Sequence, residues 1–555
     1  MPELDEVENL EAAITDATSR DEFANADVLF QKLGRLTDRN SDFTTRHAKV
    51  VIQLDDLPRA ATMLRKAVRQ EPENWDARTE LGKVYFNQKR ISEAEQIFRE
   101  ITDVDPDNTL VIRHLIQCLQ NDDETRPEAE GLVKHSLELD PNNAGAWIQL
   151  GAIHANDQSS LAQSAEAFER AIELAPGSPT AIHNYALVKR LQGELDTAEK
   201  FAIQSCELRP EDSNYAFTLA LCYMFKEDMK QAQVWLEKAI ELDPGNNAAH
   251  VYLAFNYFHT GKIKKGWAQY EKRLDLQVFK SLNYGRPRWD GEELNGKPVL
   301  LLREQGMGDN IQFIRYAKLV AEKGGKVVVL TWPKLQRLFE SVEGISVVTT
   351  GIPEPKHFYR YAPLLSLPYT LGTVKKTIPS QTPYLRAPAE LIKEWRKKLQ
   401  DYDGIKIGVV WRGSTGHEND RFRSSTLDGM SQLFSVPGTT FFSLMTERPD
   451  NESELPKELI DLGPELDDFA DTAAAIEALD LVISVDTSVC HLAGALGRPV
   501  WTMIARGPDF RWGLKGTKSD WYPSMKLYRQ KTLNDWSDVY DRLEKDLKKL
   551  VNMKK

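Results

Sequence analysis

The apolar and polar positions in the first half of the chain repeat with a fixed period. Six prolines mark it at intervals of 34 or 35 residues, and each follows a helix-forming stretch such as AIELDPGN. Proline ends a helix because it lacks an N–H donor. The pattern predicts an α-solenoid of helix pairs, each of which buries its apolar face against its neighbours. The prolines are Pro72, Pro106, Pro141, Pro176, Pro210 and Pro244.

The spacing within each unit resembles that of tetratricopeptide repeats, over about residues 41–275. One unit carries, from its first helix to its second, Leu81, Gly82, Tyr85, Ala94 and Phe98. Small residues are expected where the paired helices cross closely, and the tryptophan, tyrosine and leucine positions are expected to form the core. Residues 1–40 are predicted to be a divergent pair of capping helices.

A repeat stack of this kind holds a protein or peptide on its concave face, and we expect such a partner here. The motif does not specify which residues would bind it. Asn184, Asn214 and Asn256 lie on first helices and are candidates for clamping a peptide backbone. The alternative is that they are ordinary polar surface positions.

The pattern changes class after residue 275. Residues 276–296 are rich in glycine, proline and aromatics and are predicted to be a linker docked against another part of the chain. Short apolar runs then alternate with helical stretches, first in 297–400 and again in 401–555. This alternation predicts two Rossmann-like halves with parallel sheets. Ligands of such sheets bind beyond the carboxyl ends of the strands.

Three polar turns follow predicted strands. The first is Gly306-Met307-Gly308-Asp309, where glycine lets a ligand approach the backbone and the start of a helix favours an anion. It matches neither a P-loop nor a dinucleotide fingerprint. Asp309 is either a functional carboxylate or a simple helix cap.

The second turn, Asp486-Thr487-Ser488, begins a helix rich in small residues. Hydroxyls and free N–H groups at a positive helix end suit a diphosphate, and we expect Thr487 and Ser488 to contact one. His491 lies one turn further along and is either structural or part of this phosphate site.

The third turn follows Trp411 and concentrates cations. Arg412, Arg421 and Arg423 provide guanidinium groups, whose planar forks match phosphate geometry. His417 and Asn419 lie in the same loop. The alternative is an exposed, charged loop.

Together these segments resemble the GT-B glycosyltransferase domains that bacteria fuse behind tetratricopeptide repeats. The resemblance rests on GMGDNIQF, WRG…NDRFRS, DTSVCHLAGALGRPVW and DFRW…WYPSM, in that order, over about residues 290–550. It points to the lipopolysaccharide heptosyltransferase family and, more distantly, to the O-GlcNAc transferases.

The resemblance assigns roles to particular residues. Asp309 would be the general base, while Asp486, Thr487 and His491 would bind the donor's phosphates beside Gly308 and Ser488. The family's usual lysine has no obvious counterpart, so charge compensation would fall to Arg412, Arg421 or Arg423. Such enzymes use a nucleotide-sugar as co-substrate without a metal or other cofactor. The sequence Asp401-Tyr402-Asp403 imitates a metal motif but is interpreted as surface.

Bulk properties narrow the class. The 555 residues carry a formal charge of −12, which disfavours a nucleic-acid partner. The four cysteines form no close pair, so neither a disulfide framework nor a zinc site is indicated. No apolar run is long enough to span a membrane. The prediction is a cytoplasmic protein.

The leading hypothesis is therefore a metal-independent bacterial glycosyltransferase that modifies a protein recruited by the repeats, with flagellin Ser/Thr as one candidate acceptor. A second hypothesis keeps the enzyme but gives it a cell-envelope glycan or lipid-linked acceptor. A third is a non-catalytic scaffold whose α/β part senses a nucleotide-sugar.

Overall fold

The computed structural model describes residues 2–275, 285–414, 420–448, 454–507 and 509–554. His417 and Asn419, and residues 276–284 of the predicted linker, lie outside these ranges. The chain divides into two compact units, Met1–Gln192 and Gly193–Lys555.

The long elements of the first unit are all α-helices. Its helices are α1 (Pro2–Ser19), α2 (Phe23–Leu36), α3 (Ser41–Gln53), α4 (Leu57–Gln70), α5 (Trp75–Asn87), α6 (Ile91–Thr102), α7 (Thr109–Leu119), α8 (Arg126–Leu139), α9 (Ala144–His154), α10 (Leu161–Leu174) and α11 (Pro179–Gln192).

Each repeat turn also starts the next helix. Two residues after the proline stands an asparagine, serine or aspartate, and its side-chain oxygen satisfies a free N–H group of the following helix. Asn74 accepts from the N–H of Ala77 at 2.9 Å, and Asn143 accepts from that of Ala146 at 3.1 Å. Capping of this kind typically contributes about 1 kcal/mol per helix.

The predicted crossing of helices on small residues is confirmed. A Cβ built on Gly82 would stand 2.6 Å from the ring of Phe98, so only glycine allows the two helices to approach this closely. Leu81 and Tyr85 are buried, as expected. The core prediction is wrong for Trp75, which is 37% exposed and lies under the guanidinium of Arg78.

The second unit begins with five more repeat helices: α12 (Leu195–Leu208), α13 (Ser213–Phe225), α14 (Met229–Leu242), α15 (Asn247–His259) and α16 (Ile263–Tyr270). A 3-10 turn at Glu271–Asp275 follows α16. Beyond it, residues 285–296 pack against a sheet. The N–H of Trp289 donates to Tyr361 at 2.8 Å, and its side chain is buried. This described part of the predicted linker is therefore docked, as expected.

Two parallel sheets form the rest of the unit. The first has the order β3-β2-β1-β4 and the second β10-β9-β8-β5-β6-β7. The strands are β1 (Pro298–Leu302), β2 (Lys326–Leu330), β3 (Ile345–Thr349), β4 (Arg360–Pro363), β5 (Ile405–Val410), β6 (Thr439–Ser443), β7 (Leu459–Asp461), β8 (Leu481–Val485), β9 (Val500–Ile504) and β10 (Met525–Arg529).

Helices connect these strands. They are α17 (Met307–Phe313), α18 (Ala317–Glu322), α19 (Gln336–Phe339), α20 (Leu367–Thr370), α21 (Ala389–Leu399), α22 (Asp420–Arg423), α23 (Leu427–Phe434), α24 (Phe469–Glu477), α25 (Ser488–Ala495) and α26 (Ser537–Lys554).

The strand order reverses once in each sheet. In the first sheet β1 lies between β2 and β4, and in the second β5 lies between β8 and β6. Loops on either side of such a reversal part from one another and leave a crevice at the carboxyl ends of the strands. The three polar turns singled out in the sequence follow β1, β5 and β8, so all three lie at these crevices. The predicted fold class, a repeat solenoid followed by two parallel-sheet halves, is confirmed.

Candidate functional site

A cleft of about 930 Å³ lies where the turns after β1, β5 and β8 meet the last repeats. Of the predicted site residues, those lining it are Gly308, Asp309, Arg412, Arg423, Asp486, Thr487, Ser488 and His491. Arg421 is not among the described residues that line it, although its neighbours Phe422 and Arg423 are.

Two helix starts meet at the centre of this cleft. A Cβ built on Gly308 of α17 would stand 3.0 Å from the His491 ring and 3.3 Å from the Cα of Ser488 in α25. An alanine at position 308 would require these neighbours to shift by a few tenths of an ångström, and a larger side chain would require a larger shift. Glycine at this position therefore allows the two halves to pack closely. The sequence analysis had instead predicted that it lets a ligand approach the backbone.

Asp309 is both a helix cap and a cleft residue. Its Oδ2 accepts from the N–H of Gly306 at 2.9 Å, which closes the first turn of α17. Its Oδ1 accepts from the guanidinium of Arg511 in a short ion pair. Burial raises the pKa of the Asp309 carboxyl, and the cation of Arg511 opposes that rise.

Asp486 is the second carboxylate of the site. Its Oδ2 accepts from the indole N–H of Trp512 at 2.7 Å, and its Oδ1 lies 3.7 Å from Nε2 of His491. Burial raises the pKa of Asp486 to about 6, and the negative charge of Asp509 adds to the rise. Asp486 therefore titrates close to neutral pH.

His491 is held as a neutral ring. Its Nδ1 lies 2.9 Å from the Tyr522 hydroxyl, and the ring stacks on Trp512 with centroids 5.2 Å apart. Burial lowers the pKa of His491 well below its ordinary value, and the nearby cation of Arg511 lowers it further. A neutral imidazole in this position supports the start of α25 by packing and hydrogen bonding.

A turn at residues 509–512 joins the two carboxylates. Arg511 binds Asp309 of the first half and Asp509 within the turn, while Trp512 binds Asp486 of the second half. The DFRW segment contributed to the family resemblance of the sequence, but no role was predicted for its residues. The available signal was the position of this segment after β9, a mostly buried parallel strand in the same sheet as β5 and β8.

The start of α25 and the loop that faces it suit an anion. Thr487 is the N-cap of α25, and its hydroxyl lies 3.0 Å from that of Ser484. The N–H groups at the start of α25 have no acceptor within the helix, because a first turn provides none. Arg423 fixes the facing loop by donating to the Asp486 carbonyl at 3.0 Å. Arg412 lines the same side.

Asp486, Cys490 and His491 place their ligand atoms within 4.8 Å of one another, which is the spacing of a metal site. The Cys490 thiol makes a different contact in this structure. Burial raises the pKa of the Cys490 thiol well above its ordinary value, and its Sγ lies 3.0 Å from the Thr487 carbonyl. A metal would need the thiolate. Asp401 and Asp403 are exposed, as expected of a surface segment.

The last repeat is fastened to the turn after β1. The Glu304 carboxylate receives two bonds from Arg273, at 3.0 and 2.9 Å, and one from the N–H of Leu365 at 3.1 Å. Both charged side chains are fully buried. Beside them, Gln305 donates to the Tyr270 hydroxyl at 2.9 Å. Glu304 therefore has a structural role, which its place in the motif did not reveal.

One of the asparagine candidates does not face a concave surface. Asn256 is fully buried, and its Nδ2 donates to the Met229 carbonyl at 2.8 Å. The suggestion that it clamps a peptide is wrong, because its donor already satisfies the backbone between two repeat helices. Asn214 is exposed and Asn184 is half-buried.

Comparison with known families agrees with this division of the chain. Tetratricopeptide repeat families match residues 51–115 and 126–179. The family of anaphase-promoting complex, cyclosome, subunit 3 matches 191–273. Glycosyltransferase family 9 (heptosyltransferase) matches residues 447–533, which include α25 and the 509–512 turn. The resemblance predicted from the sequence, repeats followed by a heptosyltransferase-like domain, is confirmed.

Individual relatives share this arrangement in part. Protein FlbA of Caulobacter vibrioides is 24% identical over 507 residues, covering 85% of this chain and 78% of FlbA. Human protein O-mannosyl-transferase TMTC3 is 29% identical over 191 residues, which are 34% of this chain and 21% of TMTC3. A tetratricopeptide repeat protein from Parabacteroides merdae superposes with a TM-score of 0.38 at 17% identity, over 44% of this chain and 96% of that one. A TM-score this low says nothing about the function of this chain.

None of the helices in the described ranges is long and apolar enough to cross a membrane. Taken with the glycosyltransferase match, the two parallel sheets and the cleft at their strand ends support a glycosyltransferase.

Proposed function

We propose that the chain transfers a glycosyl group from a nucleotide-sugar to a hydroxyl of a protein, in a GT-B arrangement. The observation that carries this proposal is the meeting of α17 and α25. It brings a candidate base, Asp309, and a candidate diphosphate site, Ser488, to one cleft. The glycosyltransferase family 9 match covers the α25 side of that cleft.

In this proposal the donor's diphosphate lies against the start of α25. The free N–H groups of Ser488 and Val489 and the cations of Arg412 and Arg423 provide the positive charge there. Preorganised groups of this kind stabilise the charge that develops on a leaving phosphate. The arginines and the helix end would take the part that a metal plays in other transferases.

Asp309 would act as the general base. The acceptor oxygen forms a bond to the anomeric carbon while its proton passes to the Asp309 carboxylate. The bond from the anomeric carbon to the phosphate oxygen breaks, and its electron pair leaves with the nucleotide diphosphate. Arg511 keeps the carboxylate ionised and points it into the cleft, so it is a positioning residue.

The acceptor class is proposed on the architecture. A repeat solenoid leads directly into the cleft, and TMTC3, one of the matching relatives, is by its name a protein O-mannosyl-transferase. Flagellin is the first acceptor to test, because the sequence analysis named it as a candidate for an enzyme with repeats followed by a glycosyltransferase domain. The cytoplasm, where nucleotide-sugars are made, is the compartment that this chemistry requires.

A thermal-shift screen of the full chain against UDP, GDP, CMP, ADP and dTDP tests the donor site, because a ligand of the native state raises the melting temperature by mass action. Transfer or hydrolysis of the matching nucleotide-sugar then tests the base. Asp309→Asn should lower turnover by at least 100-fold and keep the nucleotide shift. Asp428→Asn, an exposed change outside the cleft, should alter neither.

An acceptor made of glycan is the second candidate, since the matched family is named for heptosyltransferases. Sugar transfer to a glycan with no protein present would favour it. Nucleotide binding with no turnover in any assay would instead refute catalysis and leave a sensing scaffold.

A further inference from the structure

One wall of the cleft comes from the repeats, not from either sheet. It consists of Met224, Phe225, Met229, Val251, Tyr252 and Phe255, on α13, α14 and α15. We call it the repeat wall. Val251 and Phe255 stand one turn apart on the same face of α15, and both are half-buried. These six side chains are apolar apart from the Tyr252 hydroxyl, and His259 of α15 and Tyr270 of α16 also line the cleft from the repeats.

The repeat wall is fixed at both ends to the proposed catalytic machinery. At one end the ring of Phe225 lies 5.2 Å from that of Phe422, whose neighbour is Arg423. At the other end Phe255 stacks on Phe510 at 5.3 Å, and the next residue, Arg511, holds Asp309. The wall therefore extends from the phosphate side of the cleft to the base.

This placement determines what the wall can touch. Phe255 packs on Phe510, which precedes the arginine that holds Asp309, so a group whose hydroxyl approaches Asp309 has the Phe255 end of the wall nearby. The nucleotide's phosphates are provided for elsewhere, at the start of α25. The repeat wall is thus available to the parts of the acceptor that flank the reacting hydroxyl.

The charge of the cleft disfavours an anionic acceptor. Its described lining carries six carboxylates against four lysines and arginines. The carboxylates are Asp309, Glu447, Asp467, Asp468, Asp486 and Asp509, and the cations are Lys334, Arg412, Arg423 and Arg511. Several of these charges are already paired. Arg511 binds Asp309 and Asp509, Arg423 donates to the Asp486 carbonyl, and Arg337 from outside the cleft binds Asp468. In the proposed function the donor's diphosphate occupies the phosphate side of the cleft, so a lipid diphosphate would compete with it there, and a bare glycan would not cover the apolar wall.

We infer that the repeat wall is an acceptor subsite for a polypeptide segment in which the modified Ser or Thr is flanked by apolar side chains. This inference rests on the proposed function and adds the acceptor's chemistry to it. Burial of a leucine, methionine or phenylalanine side chain against the wall removes apolar surface from water, which favours binding.

The test uses the full chain and synthetic eleven-residue peptides with one central serine. The three positions on either side are leucine, phenylalanine, aspartate or lysine, with glycine and alanine elsewhere. A panel of radiolabelled UDP-, GDP-, ADP- and dTDP-hexoses supplies the donor. Two rates are measured for each variant, transfer to peptide and hydrolysis of the donor by water, and their ratio is the readout.

Val251→Glu places a charge on the repeat wall. Val234→Glu is the matched control, since Val234 is 53% exposed on α14 and does not line the cleft. We expect the parent chain to prefer leucine- or phenylalanine-flanked peptides at least tenfold. Val251→Glu should lower the ratio of transfer to hydrolysis for them at least tenfold and move the preference towards lysine-flanked peptides.

Three results would overturn the inference. The first is equal transfer to all flanking sequences, and the second is an unchanged ratio in Val251→Glu. The third is a loss of the nucleotide's thermal shift in Val251→Glu, which would assign the wall to the base of the donor. The proposed function fails separately, if no donor in the panel is turned over or if Asp309→Asn keeps full hydrolysis, and the inference falls with it.

Discussion

The pair formed by Arg273 and Glu304 allows a quantitative test of how the repeats are joined to the cleft. Arg273 is 1% exposed and Glu304 is fully buried. Replacing Arg273 with methionine keeps the aliphatic volume but leaves the Glu304 carboxylate with one donor, the N–H of Leu365. Removing one partner of a buried pair costs about 3–5 kcal/mol. We therefore expect Arg273→Met to lower the free energy of unfolding by that amount.

The stability lost in Arg273→Met should depend on pH. Burial already raises the pKa of Glu304, and loss of the arginine raises it further. A carboxyl whose pKa is higher in the folded state stabilises the fold at low pH, and that stability is lost as pH rises through the folded-state pKa. Arg273→Met should therefore be closer to the parent at pH 5 than at pH 8.

Urea denaturation followed by tryptophan fluorescence measures the effect, because ten of the twelve tryptophans lie in the second unit. Glu304→Gln should cost less than Arg273→Met, since Arg273 keeps the Glu271 carboxylate at 2.9 Å. The double variant should recover part of the loss. Lys272→Met, an exposed neighbouring change, should stay within about 0.5 kcal/mol of the parent. A midpoint for Arg273→Met equal to that of Lys272→Met would refute the reasoning.

Three further predictions concern the cleft. Arg511→Met removes the cation that opposes the raised pKa of Asp309, so the acid limb of the hydrolysis pH profile should move to higher pH; an unmoved limb would contradict this assignment. Asp486→Asn removes a carboxyl whose folded-state pKa, about 6, lies above the ordinary 3.8. That difference corresponds to about 3 kcal/mol, so the variant should gain up to that much stability at pH 7.5 in urea melts, and the gain should vanish below pH 4. Gly308→Val should cost about 1–3 kcal/mol and weaken nucleotide binding in a thermal-shift titration, while Gly351→Ala, with open space around it, serves as the control.

Periodicity revealed most of the architecture. The proline spacing identified the repeats because each repeat uses the same stop and the same cap. The apolar runs identified β1, β2, β3, β5, β6, β8 and β9, which have five or six residues each and contain adjacent apolar side chains. It missed β4, β7 and β10. Of these, β7 has three residues, and β4 and β10 carry arginine or lysine, so their apolar signal is weak.

The site was predictable only in part. The turns after buried strands pointed to Asp309, Asp486 and Ser488, because parallel strands bring such turns to one edge. The partners of these residues come from far along the chain. Arg511 lies 202 positions from Asp309, and no local pattern links the two. The sequence correctly placed Gly308 at a site turn, but its packing contact with α25 could not be predicted, because the glycine and that helix are distant in the sequence.

The contacts between the last repeat and the turn after β1 have a consequence for the design of chimeras. Phe255, Tyr270 and Arg273 belong to repeat helices by sequence, yet their contacts lie with Phe510, Gln305 and Glu304 of the α/β region. A chimera cut at residue 275 would break all three pairs, whereas one cut at Gln192 keeps all of them. The repeats at the junction are therefore structurally part of the α/β region, and a chimera must carry them together with it.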